Sequence, residues 1–190
     1  MIRINPFLYQ YLCVTSSSLI TLPLDIAQTK ILSSSSVIFN INELKWLLLF
    51  PLIFTSQSII YNELYYIKNT LLRGAAAGIF TTPIYTYLET QKMHNRLNIL
   101  PNYNIYITII LIRQALFYSI LYKITLLNIP YSTFIAAFIA NTCGFPIKLF
   151  ALSNSYSVFM INKKTIKQTA ILEIIKSSIS DSMALFLINI

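Results

Sequence analysis

The sequence predicts an all-α membrane protein in which six transmembrane helices form three tandem two-helix repeats with pseudo-threefold symmetry. Three observations support this prediction. Of the 190 residues, 56% are hydrophobic and only 11% are charged, whereas soluble domains carry about 25% charged residues. The apolar residues gather into six segments that are long enough to cross a bilayer. A proline recurs near the end of the first, third and fifth segments.

The six segments follow from hydropathy over windows of about 19 residues, because a spanning helix needs roughly 20 apolar positions. The first and third segments are diluted by Ser, Thr and Ala, which leaves their ends less sharply defined. The predicted segments are Leu8–Ile31, Lys45–Tyr66, Leu71–Thr90, Tyr103–Ile124, Tyr131–Leu152 and Thr169–Ile190.

The basic residues divide unequally between the two sides of the predicted membrane. The net charge is +8, but the bases lie in polar gaps rather than in a stripe with aromatic residues. We therefore expect no nucleic-acid partner. The positive-inside rule places the richer side in the cytoplasm, or in the matrix of a mitochondrion, with both termini opposite. The richer side holds Lys30, Lys45, Lys92, Arg96, Lys148, Lys163, Lys164 and Lys167; the other holds Arg3, Lys68, Arg73 and Lys123.

The recurring prolines indicate an internal repeat. Pro23, Pro83 and Pro146 lie 60 and 63 residues apart, each near the C-terminal end of an odd-numbered segment. Each unit would then contain two spanning helices with the proline in the first. The alternative is coincidence among seven prolines. The prediction is a single membrane domain over residues 1–190, with repeats at approximately 1–68, 69–127 and 128–190.

The stretch PLDIAQTK, which begins at Pro23, resembles the signature of the mitochondrial carrier family, P-x-[DE]-x-x-[KR]-x-[KR]. In that family the signature stands at the C-terminal ends of the odd-numbered helices. Pro23, Asp25 and Lys30 match it, whereas Gln28 occupies the first basic position. The stretch GAAAGIFTTP in the third segment resembles the small-residue approach to the same motif, and small residues let helices pack closely.

The resemblance implies a multi-pass protein of the mitochondrial inner membrane that exchanges a small solute by alternating access. Its odd helices would kink at Pro23, Pro83 and Pro146, and acids and bases of neighbouring repeats would pair as a gate on the matrix side. However, Tyr85 and Lys148 occupy the acid position in repeats two and three. The motif positions alone therefore cannot supply three acid–base pairs.

The candidate gate charges are Asp25, Lys30, Lys148 and Glu89. Asp25 with Lys148 is one residual pair, and Glu89 with Lys30 or Lys92 is another. The alternative is that these long side chains extend to the polar boundary of the membrane.

Arg113 is the charge that lies most clearly within an apolar segment, and an ionisable residue inside a membrane is a candidate functional residue. A lone arginine suits an anionic substrate, and Gln114 and Gln57 are further candidate contacts. The alternative is that Arg113 pairs with a backbone carbonyl or an acid, or lies nearer the surface. The expected partners are membrane lipids and a small anionic solute, and a larger membrane protein complex is a further candidate.

No catalytic, cofactor or metal site is predicted. Cys13 and Cys143 lie in apolar segments without a CxxC pair, and the only histidine, His94, lies in a polar gap. Neither a zinc site nor a nucleophile–base pair can be built from these residues. We therefore expect the protein not to be an enzyme.

Two other functions remain open. One is a carrier-derived structural subunit or scaffold of a membrane complex that no longer transports, which the lost acids favour. The other is an unrelated six-helix membrane protein. Polar residues that face a central cavity would favour transport, whereas a cavity filled by apolar side chains would favour a structural role.

Overall fold

The computed structural model of the chain describes residues 5–33, 43–97, 100–127, 129, 131–155 and 163–188. Within these residues the regular structure is entirely helical, which confirms the predicted all-α class and the number of helices. The helices are α1 Pro6–Ser33, α2 Glu43–Glu63, α3 Thr70–Leu97, α4 Tyr103–Thr125, α5 Ser132–Ser155 and α6 Lys163–Ile188.

Two helices extend well past the predicted apolar segments. The third helix continues to Leu97 rather than ending at Thr90, and the sixth begins at Lys163 rather than at Thr169. Both extensions are largely polar, and most of their residues, such as Lys, Gln, Arg, Met and Leu, have high helix propensity. Hydropathy marks only the apolar part of each helix. It therefore places the end of α3 too early in the sequence and the start of α6 too late.

Among the described residues, α4 and α5 are the two helices that are long and apolar enough to cross a membrane by length and composition. The remaining helices contain more Ser, Thr, Gln or charged residues. Their hydropathy is lower for that reason.

The six helices form a closed ring. Each helix packs against its neighbours in the sequence, and α1 packs against α6, which closes the ring. The most extensive contacts are those of α4 with α3 and α5. The ring order places the side chains of all six helices around one centre.

Two glycines bring α3 close to α4. A Cβ atom on Gly74 would lie 2.5 Å from the carbonyl oxygen of Tyr118, and one on Gly78 would lie 2.6 Å from that of Gln114. Both distances are far shorter than van der Waals contact, and the opposing atoms belong to the backbone. The close packing predicted for GAAAG is therefore confirmed.

Pro23, Pro83 and Pro146 lie inside α1, α3 and α5, and each helix continues beyond its proline. All three prolines are exposed. A proline inside a helix removes one backbone hydrogen bond and tends to bend the helix. Pro51 occupies a similar interior position in α2, but it is buried.

Candidate functional site

A cavity of about 220 Å³ lies at the centre of the ring, and all six helices contribute to its wall. The wall combines aromatic rings with an unusual number of charged groups. Among the described residues, the charged side chains of the wall are Asp25, Glu89, Lys92, Arg113, Lys148, Glu173, Lys176 and Asp181.

Three acids and three lysines of this wall form a continuous series of alternating charge, which we call the ionic network. Asp25 pairs with Lys92 and, at 3.0 Å, with Lys176. Lys176 also pairs with Glu173 at 2.8 Å. The members in order are Lys92, Asp25, Lys176, Glu173, Lys148 and Glu89.

Glu173 is the most deeply buried member of the ionic network. Its side chain is 3% exposed, and its two carboxylate oxygens face Lys148 at 2.7 Å and Lys176 at 2.8 Å. Lys148 continues the series to Glu89 at 3.5 Å. Burying a carboxylate costs free energy because it loses its hydration, and attraction to two ammonium groups offsets that cost.

Lys176 has three polar partners among the described residues. Its ammonium group donates hydrogen bonds to Asp25 at 3.0 Å and to Gln28 at 2.8 Å, and it forms an ion pair with Glu173 at 2.8 Å. The charge of this buried lysine is therefore compensated within the protein. Gln28, the residue that departs from the motif, thereby acts as an acceptor for a lysine from α6.

The ionic network crosses the ring instead of following it. Its first and last members, Lys92 and Glu89, both belong to α3, and they pair with α1 and α5 respectively. Neither α1 nor α5 is a ring neighbour of α3, since α2 and α4 stand between them. The ionic network thus joins helices that are not neighbours in the ring.

Arg113 lies in the cavity wall outside the ionic network. Its side chain is on α4, 7% exposed, and its Nη1 donates to the Gln114 side chain at 3.3 Å. Its guanidinium lies 5.3 Å from the centre of the Phe117 ring. The Nε atom is buried without a hydrogen-bond partner among the described residues. This cation therefore has spare donors.

Asp181 on α6 is the eighth charge of the wall. Its Oδ2 accepts a hydrogen bond of 2.9 Å from the Asn141 side chain of α5. The same amide nitrogen donates to the backbone carbonyl of Ala137, also at 2.9 Å. These two hydrogen bonds fix the orientation of the Asn141 side-chain amide. This acid therefore has an amide partner rather than a cationic one.

A second cluster, which we call the aromatic cluster, joins α2, α3, α4 and α5. The rings of Tyr61 and Tyr122 stack at 3.8 Å between centres, and the Arg73 guanidinium lies 4.1 Å from the Tyr61 ring. Tyr118 and Phe117 continue the cluster along α4. Three alanines of α5 complete it: Ala136, Ala137 and Ala140, which are fully buried.

Most of the sequence-predicted site residues lie in the cavity wall. Asp25, Glu89, Lys148, Arg113 and Gln114 all line it. The structure thus brings together three of the four candidate gate charges and two of the three candidate substrate contacts.

The predicted pairs of the gate were wrong in their partners. Asp25 pairs with Lys92 and Lys176 rather than Lys148, and Glu89 pairs with Lys148. The fourth candidate, Lys30, is exposed near the C-terminal end of α1 and is not a member of the ionic network. The cause is that α6 inserts its own charged pair between α1 and α5.

Gln57 does not line the cavity, in contrast to its prediction as a substrate contact. It is fully buried on α2, one helical turn beyond Phe54, which does line the wall. Its amide atoms have no hydrogen-bond partner among the described residues. Gln57 lies three residues after Phe54 and so on nearly the same face of α2, but beyond the part of the helix that lines the cavity.

Neither Glu173 nor Lys176 was among the site residues predicted from the sequence. A signal for both was present, because two opposite charges three residues apart face the same side of a helix. Ionisable residues in an apolar helix are candidate functional residues. Among the predicted basic residues, Arg3 and the side chains of Arg96, Lys163, Lys164 and Lys167 lie outside the described part of the chain.

Within the described ranges, no group of three His, Cys, Asp or Glu side chains could hold a metal ion. No family model, curated protein or solved structure matches this chain.

Proposed function

We propose that this chain is a mitochondrial carrier-like protein that exchanges a small solute across the mitochondrial inner membrane by alternating access. One observation carries the proposal. A closed ring of six helices surrounds a charged cavity, and an ionic network crosses the ring at one level. Such an arrangement supplies a binding site and a barrier whose contacts can break.

The distribution of polar and apolar groups supports a place in the membrane. Along α4, Arg113 and Gln114 are buried, whereas large apolar side chains on the other faces are exposed. A soluble protein has the opposite arrangement, with charges outside. Hydrocarbon is the solvent that suits such an exterior. The exposed residues on α3, α4 and α5 include Ile79, Phe80, Ile84, Leu111, Ile112, Leu116, Phe134, Phe138 and Phe150.

The prolines support the three-repeat arrangement. Two positions after each proline, the side chains of Asp25, Tyr85 and Lys148 line the same cavity. These are the acid positions of the carrier motif. Equivalent residues of three repeats would meet around a central axis in this way.

The ionic network supports a gate at the matrix side. It is neutral overall, with three acids and three lysines, so it can close without placing net charge in the membrane. Opening it separates charges in a low-dielectric environment, which is costly unless another interaction offsets the cost. Solute binding to the nearby Arg113 would provide that interaction.

A transport assay in proteoliposomes tests the proposal. Purified protein is reconstituted and loaded with one of a panel of small carboxylates, amino acids or nucleotides, and uptake of the labelled solute is measured. We expect saturable exchange that is lost in Arg113→Gln, since the cavity would lose its spare cation. Lys123→Gln is the matched control, because Lys123 is exposed at the end of the same helix.

The second candidate is a transport-inactive structural subunit of a larger membrane complex. It is favoured by the absence of acids at Tyr85 and Lys148. Protein that exchanges no solute of the panel, and that is recovered from native membranes in a larger assembly, would replace the first proposal by this one.

A further inference from the structure

The eight charged residues of the cavity wall divide into two sets of different character. The six members of the ionic network balance one another. The remaining two are Arg113 and Asp181, one of each sign. Neither takes part in a salt bridge among the described residues. The wall therefore offers one cationic and one anionic group that are both open to a ligand.

Arg113 has the greater unused capacity. A guanidinium carries five N–H donors, and the described hydrogen bond uses one of them, to the neutral Gln114 side chain. The buried Nε has no acceptor among the described residues. Burying a cation without an anionic partner is expensive. A carboxylate in the cavity would satisfy this side chain with paired, charge-assisted hydrogen bonds.

Asp181 complements Arg113 at a neighbouring level of the cavity. The Arg113 side chain packs on Gly144 of α5, where a Cβ atom would lie 3.6 Å from its Cγ and Nε atoms. Asn141, one turn earlier on α5, donates to Asp181. Both charged side chains therefore lie against the same stretch of α5, between Asn141 and Gly144.

We infer that the solute is a small zwitterion whose carboxylate binds Arg113 and whose ammonium group binds Asp181. This inference rests on the proposed transport function and narrows its substrate class. A simple anion would satisfy Arg113 but would face the carboxylate of Asp181, and like charges repel strongly in a low dielectric. A simple cation would leave Arg113 without its partner. Phe117 and Tyr118 in the wall would contact an apolar side chain of the solute.

The test compares each zwitterion with analogues that lack one charge. Alanine, leucine and phenylalanine are each paired with the carboxylic acid that lacks the amine and with the amine that lacks the carboxylate. Melting of the purified full chain and exchange in proteoliposomes are measured. A zwitterion that binds the folded state raises the melting temperature in a saturable manner. We expect this rise, together with exchange, for at least one amino acid and not for its two analogues.

Two variants test the roles of the charges. Asp181→Asn should weaken binding of the amino acid by roughly 10- to 100-fold, which corresponds to one charged hydrogen bond, and should improve binding of the matching carboxylic acid. Arg113→Gln should weaken binding of the amino acid by a similar factor and should improve binding of the matching amine. Glu63→Gln, at an exposed acid of α2, is the matched control and should change none of these affinities.

The outcomes separate this inference from the function on which it rests. Exchange of carboxylic acids as efficient as that of the amino acids would overturn the zwitterion assignment and leave the carrier proposal standing. Neither exchange nor a melting shift with any solute of either panel would overturn both. Should Asp181→Asn or Arg113→Gln fail to fold, the comparison of analogues on the unaltered protein decides the question alone.

Discussion

The ring is held together by two clusters of opposite chemistry. The ionic network joins α1, α3, α5 and α6 through three acids and three lysines. The aromatic cluster joins α2, α3, α4 and α5 through stacked rings and buried alanines. Charged contacts are few, and most members serve two partners, so the loss of one member removes two contacts and leaves the network with a net charge. Aromatic and alkyl contacts are numerous and individually small.

This difference indicates different tasks for the two clusters. In the proposed carrier, the ionic network would be the part that opens and recloses, because its members share partners and separating one changes the contacts of the next. The aromatic cluster should instead lose stability in small steps when single side chains are changed.

Removing the shared charge of the ionic network should have the largest effect. Glu173→Gln takes away the carboxylate that lies between Lys148 and Lys176. Lys148 would keep Glu89 and Lys176 would keep Asp25, but three lysines would then face two acids. Breaking a buried pair costs about 3–5 kcal/mol when such an excess charge remains. We expect a large fall in the melting temperature of the purified protein. Glu63→Gln, the exposed control on α2, should have the melting temperature of the unaltered protein. Equal melting temperatures of the two variants would show that the ionic network does not stabilise the ring.

Filling the contact between α3 and α4 should have an intermediate effect. In Gly78→Ala the new Cβ would lie 2.6 Å from the carbonyl oxygen of Gln114, so the two backbones must separate. Overpacking of this kind costs about 1–3 kcal/mol, which thermal denaturation can measure. Gly144→Ala is the control, because its Cβ would lie at an ordinary 3.6 Å from Arg113. Similar melting of the two variants would contradict the close approach.

Separating the stacked tyrosines should have the smallest effect. A double-mutant cycle of Tyr61→Leu and Tyr122→Leu should give a coupling energy of about 0.5–1.5 kcal/mol, as expected for an aromatic pair. The exposed pair Tyr65 and Tyr66, at 6.2 Å between ring centres, provides the comparison cycle. A Tyr61–Tyr122 coupling as large as the loss in Glu173→Gln would remove the distinction between the two clusters.

The helices were predictable from the sequence because each is encoded locally. Six apolar segments gave the helix number, and the glycines of GAAAG gave the close contact of α3 with α4. Arg113, which the sequence predicts as a candidate substrate contact, lines the cavity wall, and a single charge within an apolar helix was the signal for it.

The partners within the ionic network were not predictable in the same way. A pair such as Lys176 with Asp25 joins residues 151 positions apart, on the first and last helices. It depends on how far each helix is rotated and shifted against the other, and hydropathy contains no information on either. Gln57 illustrates the same point on a smaller scale, because an error of one turn removed it from the cavity wall.

The placement of Glu89 and Lys92 on one helix has a mechanical consequence. A slide of α3 by one turn, about 5.4 Å, in one direction would bring Glu89 towards the level at which Lys92 meets Asp25, so that two carboxylates would approach each other. A slide in the other direction would bring Lys92 towards Lys148. Both displacements oppose like charges, so α3 has a single electrostatically favoured register. A helix fixed in this way resists sliding along its own axis. It can move more easily by tilting or by rotating about that axis.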